Sequence, residues 1–296
     1  MGIGLTRSLA VVLAAATLAA GGCAYLDVKQ REWIFRPQRD AQATPADVGL
    51  RYDELWLTVS GAGPEGERVY GWWIPAADSG APAMLYLHGA RWSLSNNLQR
   101  IGRLHRMGFA VLAIDYRGFG RSDGDLPSEA LAYADAQAAW TFLRRLEPDS
   151  ARRFVYGHSL GGAVAIDLAT RNDDMGGLIV ESSFTSIRDM ADALGYTSFS
   201  VDGLLTQRFD SLAKVSAVKA PILFVHGTAD RFVPPMMTER LYAAAPEPKR
   251  LLMIENGNHG NSTGVGFERY LAAVRELVDL AKRSAAIRTA SPGRAG

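Results

Sequence analysis

Three residue types that cooperate in nucleophilic catalysis stand apart in this 296-residue sequence: Ser159 in "FVYGHSLGG" (154–162), Asp230 in "HGTADRFVPP" (226–235) and His259 in "NGNHGN" (256–261). A serine hydroxyl is a poor nucleophile at neutral pH until a base takes its proton. The base in turn needs an acid that fixes its tautomer and stabilises the imidazolium. Ser159 sits in a G-x-S-x-G pattern, which suits a sharp turn from strand to helix that exposes the hydroxyl. The pattern is short, and the chain holds 30 glycines. Its context therefore has to decide whether it is more than an ordinary turn.

The elements around these residues supply that context. Continuous apolar runs at 83–89, 109–118, 153–157, 177–183, 221–227 and 250–256 predict buried strands, and 54–60 and 68–75 read as strands as well. Helical spacing predicts helices over 95–108, 128–146, 160–171, 236–245 and 267–283, the second with Ser128 as N-cap. Alternating strands and helices imply an α/β fold, a mostly parallel open sheet with helices on both faces. Sites in such sheets form at the carboxyl ends of the strands. Ser159, Asp230 and His259 each follow a different strand. The start of helix 160–171 points its free N–H groups at the serine. One oxyanion donor is then the N–H of Leu160, and the other comes from the loop "HGARWS", with Ala90 favoured over Arg91. His88, His158 and His226 read as structural.

Composition removes other classes. Formal net charge is +1, and the chain carries no basic block, so nucleic acid is not an expected partner. Cys23 is the only cysteine, which excludes an internal disulfide and a multi-cysteine metal site. His and carboxylates do not cluster at ligand spacing, and no G-x-G-x-x-G follows the first strand, so neither metal nor cofactor is expected. No internal repeat occurs at solenoid periods.

The amino terminus reads as a targeting segment: Arg7, an apolar run from Leu9 to Ala20, then small residues. "LAAGGC" resembles the lipobox of bacterial lipoproteins, in which the cysteine becomes the acylated first residue. That resemblance implies a signal peptide over 1–22 and a membrane partner through lipid on Cys23. Ala24, in place of Asp, implies an envelope location at the outer membrane, facing the periplasm. Residues 23–45 are expected to be a tether, 46–283 the catalytic domain, and 284–296 a disordered tail.

Taken together, "LYLHG", "LAIDYRGFGRSDG", "VYGHSLGG" and "PILFVHGTADRFVP" resemble the α/β-hydrolase superfamily across roughly residues 50–283. Within it they are similar to small-lid serine hydrolases of the monoacylglycerol-lipase-like and acyl-protein-thioesterase-like kinds. The resemblance implies Ser159 as nucleophile, Asp230 as acid and His259 as base, in the chain order of that fold. Glu181 is the alternative acid, since some members place theirs after the preceding strand. Residues 185–219 take the position of a small lid, with short helices expected at "IRDMADALGY" and "DGLLTQRF". Met190, Leu194, Tyr196, Phe199, Leu204 and Leu205 are its candidates for an acyl slot, and Trp92 is a candidate for narrowing the entrance. The expected substrate is a small acyl ester or thioester of short or medium chain. The alternatives are a serine peptidase, or an envelope lipoprotein that uses the fold for binding alone.

Overall fold

The computed structural model describes residues 21–40, 42–59, 66–196 and 203–290. Eight strands form one sheet: β1 (Asp53–Thr58), β2 (Arg68–Ile74), β3 (Ala83–Leu87), β4 (Ala110–Ile114), β5 (Arg153–His158), β6 (Gly177–Glu181), β7 (Ile222–Gly227) and β8 (Lys249–Ile254). Their order is β1-β2-β4-β3-β5-β6-β7-β8. β1 pairs antiparallel with β2, and β2 with β4; every later pair is parallel. β3 to β7 are buried along their whole length, which is why they read as unbroken apolar runs.

Helices cover both faces. α3 (Glu129–Leu146), α4 (Leu160–Arg171) and α7 (Pro235–Ala244) seal one core with Trp140, Val164 and Leu241. α2 (Leu98–Arg106) and α9 (Phe267–Ala290), the latter preceded by the one-turn α8 (Ser262–Val265), seal the other, through Ile101 and Leu104 on α2 and Tyr270, Val274 and Leu277 on α9. Those α9 positions recur at helical spacing, so one stripe faces the sheet. Ser128 caps α3 by accepting the Leu131 N–H at 3.2 Å. The mostly parallel α/β fold expected from the alternation is thus observed.

Three segments differ from expectation. The first is the tether: residues 21–35 form a helix, α1, and the chain beyond it lies along the body. Phe35 is fully buried, with its ring against Phe119 and Phe209. Arg31 donates to the carbonyls of Leu126 and Pro127, and Gly120 N–H donates to the Gln38 carbonyl at 2.9 Å. One aromatic anchor and these backbone contacts dock a segment too polar to announce itself by periodicity. The second is the tail, because α9 continues to Ala290 rather than ending near 283. "SAAIRTA" has enough helix propensity to extend an existing helix, where nucleation is already done.

The third is the stretch 185–219. α5 (Ile187–Ala193) forms as expected, followed later by the short α6 (Ser211–Lys214). Among the described residues the second expected helix is absent, and residues 203–209 are irregular. Their backbone donors go to side chains instead of carbonyls one turn back. Thr206 N–H donates to Gln30 Oε1 at 2.9 Å, and Arg208 N–H to Glu129 Oε2 at 2.6 Å. Among the described residues, no helix is long and apolar enough to cross a membrane.

Candidate active site

Ser159 occupies the single residue between β5 and α4, with φ 54° and ψ −120°. That conformation costs a non-glycine residue about 1–3 kcal/mol, and the surroundings must hold it there. They do so by clamping both sides of its backbone. Ser159 N–H donates to the Glu181 carbonyl at 2.9 Å, and Ser183 Oγ donates to the Ser159 carbonyl at 2.9 Å. The glycines of the motif are steric requirements. A Cβ on Gly157 would run into the Gly161 carbonyl, and one on Gly161 would run into the Leu87 carbonyl. The turn is therefore tight enough to bring the start of α4 against β3 and β5.

His259 lies in the loop after β8, and its Nδ1–H donates to Asp230 Oδ2 at 2.8 Å. That bond leaves Nε2 as the basic nitrogen. Asp230 lies in the loop after β7. Its Oδ1 accepts the N–H groups of Phe232 (2.9 Å) and Val233 (3.0 Å), while buried His226 places Nε2 3.2 Å from Oδ2. Burial pushes the Asp230 carboxyl up. The hydrogen bonds from His226 and His259, the His259 charge and the Val233 N–H outweigh it and hold the carboxyl well below the usual range. Asp230 is therefore ionised whenever His259 needs it.

Glu181 is placed differently. It is fully buried, and its Oε2 accepts from the hydroxyls of Tyr156 (2.7 Å) and Tyr270 (2.8 Å). Its other oxygen lies 3.8 Å from Arg100 Nε. Arg100 donates through Nη2 to the Gly260 carbonyl at 3.0 Å and through Nη1 to Asn97 Oδ1 at 3.3 Å. His158 adds a second tie, with Nε2–H donating to the His259 carbonyl at 2.7 Å. Burial, followed by the charges of Arg100 and His259, drives the His158 imidazole to its neutral form, which suits that donor role. Glu181, Arg100 and His158 thus support the loop that carries His259. The carboxylate bonded to His259 is Asp230.

The loop after β3 forms the opposite wall. His88 Nδ1–H donates to the Gly89 carbonyl at 2.6 Å, as its expected structural role requires. Arg91 has φ 74°, and its N–H donates to the Phe35 carbonyl at 2.7 Å. Arg91 is therefore already committed, which leaves Ala90 as the loop's candidate donor. α4 begins at Leu160, so the Leu160 N–H has no carbonyl one turn back to receive it.

Ser159 and His259 line one cavity of about 400 Å³, with Ala90, Arg91, Trp92, Arg100, His158 and Phe232 among its walls. No described residue of 185–219 lines it, contrary to the lid expectation. Met190 is buried in the core, and Leu194, Tyr196 and Leu204 are exposed. Leu205 lines a separate groove with Arg188 and Arg240, and Phe199 lies outside the described residues. The described residues of the segment cross from β6 to β7 and contact α1, as where the Gln30 amide donates to the Leu204 carbonyl at 2.7 Å. The apolar walls are Trp92, as expected, and Phe232, whose ring lies 5.0 Å from that of His259. Cys23 is exposed on α1 and takes no part in the cavity. Sequence reasoning read His158 and His226 as structural without finding what they hold, and it did not single out Arg100. For His158 the only available signal was its place beside the nucleophile.

The sheet order, the turn at Ser159 and the loops at three strand ends define an α/β hydrolase. A family profile described as serine aminopeptidase, S33, matches residues 81–210. An uncharacterized protein of Mycobacterium tuberculosis is 32% identical over 274 residues, covering 92% of this chain and 95% of that protein. The alpha/beta hydrolase domain-containing protein WAV2 of Arabidopsis thaliana is 30% identical over 249 residues, covering 77% and 79% respectively. Among solved structures, an esterase of Pyrococcus furiosus superposes with a TM-score of 0.67 at 22% identity, covering 82% of this chain and 96% of that one. The chain belongs to the α/β-hydrolase superfamily.

Proposed function

We propose that the protein is a serine hydrolase that cleaves a carboxylic ester or thioester through an acyl-enzyme. The observation that carries this reading is the pairing of His259 Nδ1 with Asp230 Oδ2 at 2.8 Å, with His259 and the strained Ser159 lining the same cavity. Ser159 Oγ attacks the carbonyl carbon while His259 Nε2 takes its proton. The N–H groups of Leu160 and Ala90 receive the oxyanion, and the alcohol or thiol leaves with the proton from His259. Water, activated by the same base, then releases the acid and restores Ser159. A fluorophosphonate probe tests this directly. Labelling of the wild type and not of Ser159→Ala supports the reading, whereas unlabelled wild type points to a binding module.

Peptide hydrolysis is the second reading. It is favoured by the S33 profile and by the fold shared with an acylaminoacyl peptidase of Pyrococcus horikoshii. Turnover of aminoacyl 4-nitroanilides with none of 4-nitrophenyl esters would select it.

The proposed location is the cell envelope at the outer membrane, facing the periplasm, with lipid on Cys23 after cleavage of residues 1–22. The "LAAGGC" sequence and the exposure of Cys23 support it. Cys23→Ser should change the mature mass and release the protein from membranes. Mature protein that retains residues 1–22 would count against it.

A further inference from the structure

Among the described residues, the cavity beside Ser159 is lined by two arginines, two asparagines and two histidines, and by no aspartate or glutamate. The buried acids nearby are engaged: Asp230 with His259, and Glu181 with two tyrosines beside Arg100. Arg100 is itself engaged, with Gly260 and Asn97.

Arg91 is different. Its backbone is fixed at the cavity by the bond to the Phe35 carbonyl, and its guanidinium lies over the Phe232 ring, 5.6 Å from the centroid. The same Phe232 ring meets His259. The guanidinium is thus held two ring contacts from the proposed base. Among the described residues it pairs with no carboxylate, whereas Arg117, Arg121 and Arg153 each do. Asn96, another lining residue, uses its side-chain oxygen to accept from Ser93 Oγ at 3.2 Å, which leaves its NH2 group as a donor. A planar guanidinium stacked on an aromatic face is preorganised for bidentate contact with a carboxylate or phosphate. Stacking also reduces the side-chain freedom lost when an anion binds.

We propose that Arg91, aided by Asn96, forms an anion subsite, and that the substrates are esters carrying a carboxylate or phosphate a few bonds from the scissile carbonyl. This inference rests on the serine-hydrolase reading above. It goes further by assigning the substrate's charge and the residue that selects it.

Two matched pairs test it and separate the two sources of the anion. The first is 4-nitrophenyl hydrogen glutarate against its methyl ester, which places a carboxylate on the acyl side. The second is butanoylglycerol 3-phosphate against butanoylglycerol, which places a phosphate on the alcohol side. In at least one pair the anionic member should have kcat/KM at least tenfold higher, mostly through KM, with the ratio shrinking as salt is added. Arg91→Met should abolish the preference, and Arg91→Lys should keep part of it. A neutral preference in both pairs, or a preference that survives Arg91→Met, would overturn the subsite. Fluorophosphonate labelling of Ser159 is scored separately. Its failure would sink the hydrolase reading itself, whereas labelling with a neutral preference sinks only the subsite.

Discussion

His158 Nε2 lies 2.7 Å from the carbonyl oxygen of His259, so the residue before Ser159 holds the backbone of the proposed base. The contact joins the end of β5 to the loop after β8 across the mouth of the sheet. Removing the donor frees the His259 loop without touching either reacting atom. His158→Ala should lower kcat about five- to tenfold, in line with about 1 kcal/mol for one hydrogen bond. KM and the fluorophosphonate-reactive fraction should stay near wild type. An unchanged kcat would show that Arg100 alone suffices to hold the loop.

Asp230→Asn tests the acid. The amide can present the wrong partner to His259 Nδ1, so the basic nitrogen no longer faces the serine. A loss of about 10³–10⁴ in kcat is expected. Glu181→Gln should cost far less, because Glu181 acts through Arg100 and the tyrosines. Comparable losses in the two variants would reopen the assignment of the acid.

Asp115 sets a pH dependence of stability. Burial pushes its carboxyl up to about 7, against the opposing hydrogen bond from Leu94 N–H. The folded state therefore holds this proton more tightly than the unfolded chain, whose value is 3.8. Stability from this group is complete below the unfolded value and declines as pH rises towards 7. Urea midpoints measured from pH 4 to 8 should fall less steeply for Asp115→Asn than for the wild type. Parallel curves would count against a protonated Asp115.

Trp92 is half exposed and lines the cavity. Trp92→Ala should widen the entrance and move the optimum of a 4-nitrophenyl ester series towards longer acyl chains. Substitutions at Leu194 or Leu204, which do not line the cavity, should leave the optimum in place.

Docking of α1 makes residues 21–35 part of the folded body. Phe35→Ala should destabilise the fold by about 3–5 kcal/mol, as expected for a buried aromatic. The same change should slow turnover in the folded fraction, because the Phe35 carbonyl holds Arg91 beside Ala90. Thermal melts and active-site titration separate the two effects. Full specific activity after truncation to residue 41 would show that the loop after β3 stands without α1.

The sequence by itself determined the α/β alternation, all eight strands of the sheet, and the chain order of Ser159, Asp230 and His259. These are local signals: apolar runs mark buried strands, and a glycine-fenced serine between strand and helix marks the turn that the glycines at 157 and 161 make possible. Tertiary structure decided what depends on distant partners. Glu181 ends β6 and Asp230 follows β7, neighbouring parallel strands, and the packing of Tyr156, Tyr270 and Arg100 around Glu181 directs it away from His259. Residues 23–45 look like a tether because one buried ring and a few backbone bonds leave no periodic trace. The segment 185–219 looks like a lid because its exposed apolar residues resemble pocket lining until their neighbours are known. The cavity walls Arg91, Trp92 and Phe232 come from loops 140 residues apart that meet only because the sheet brings the ends of β3 and β7 to one edge.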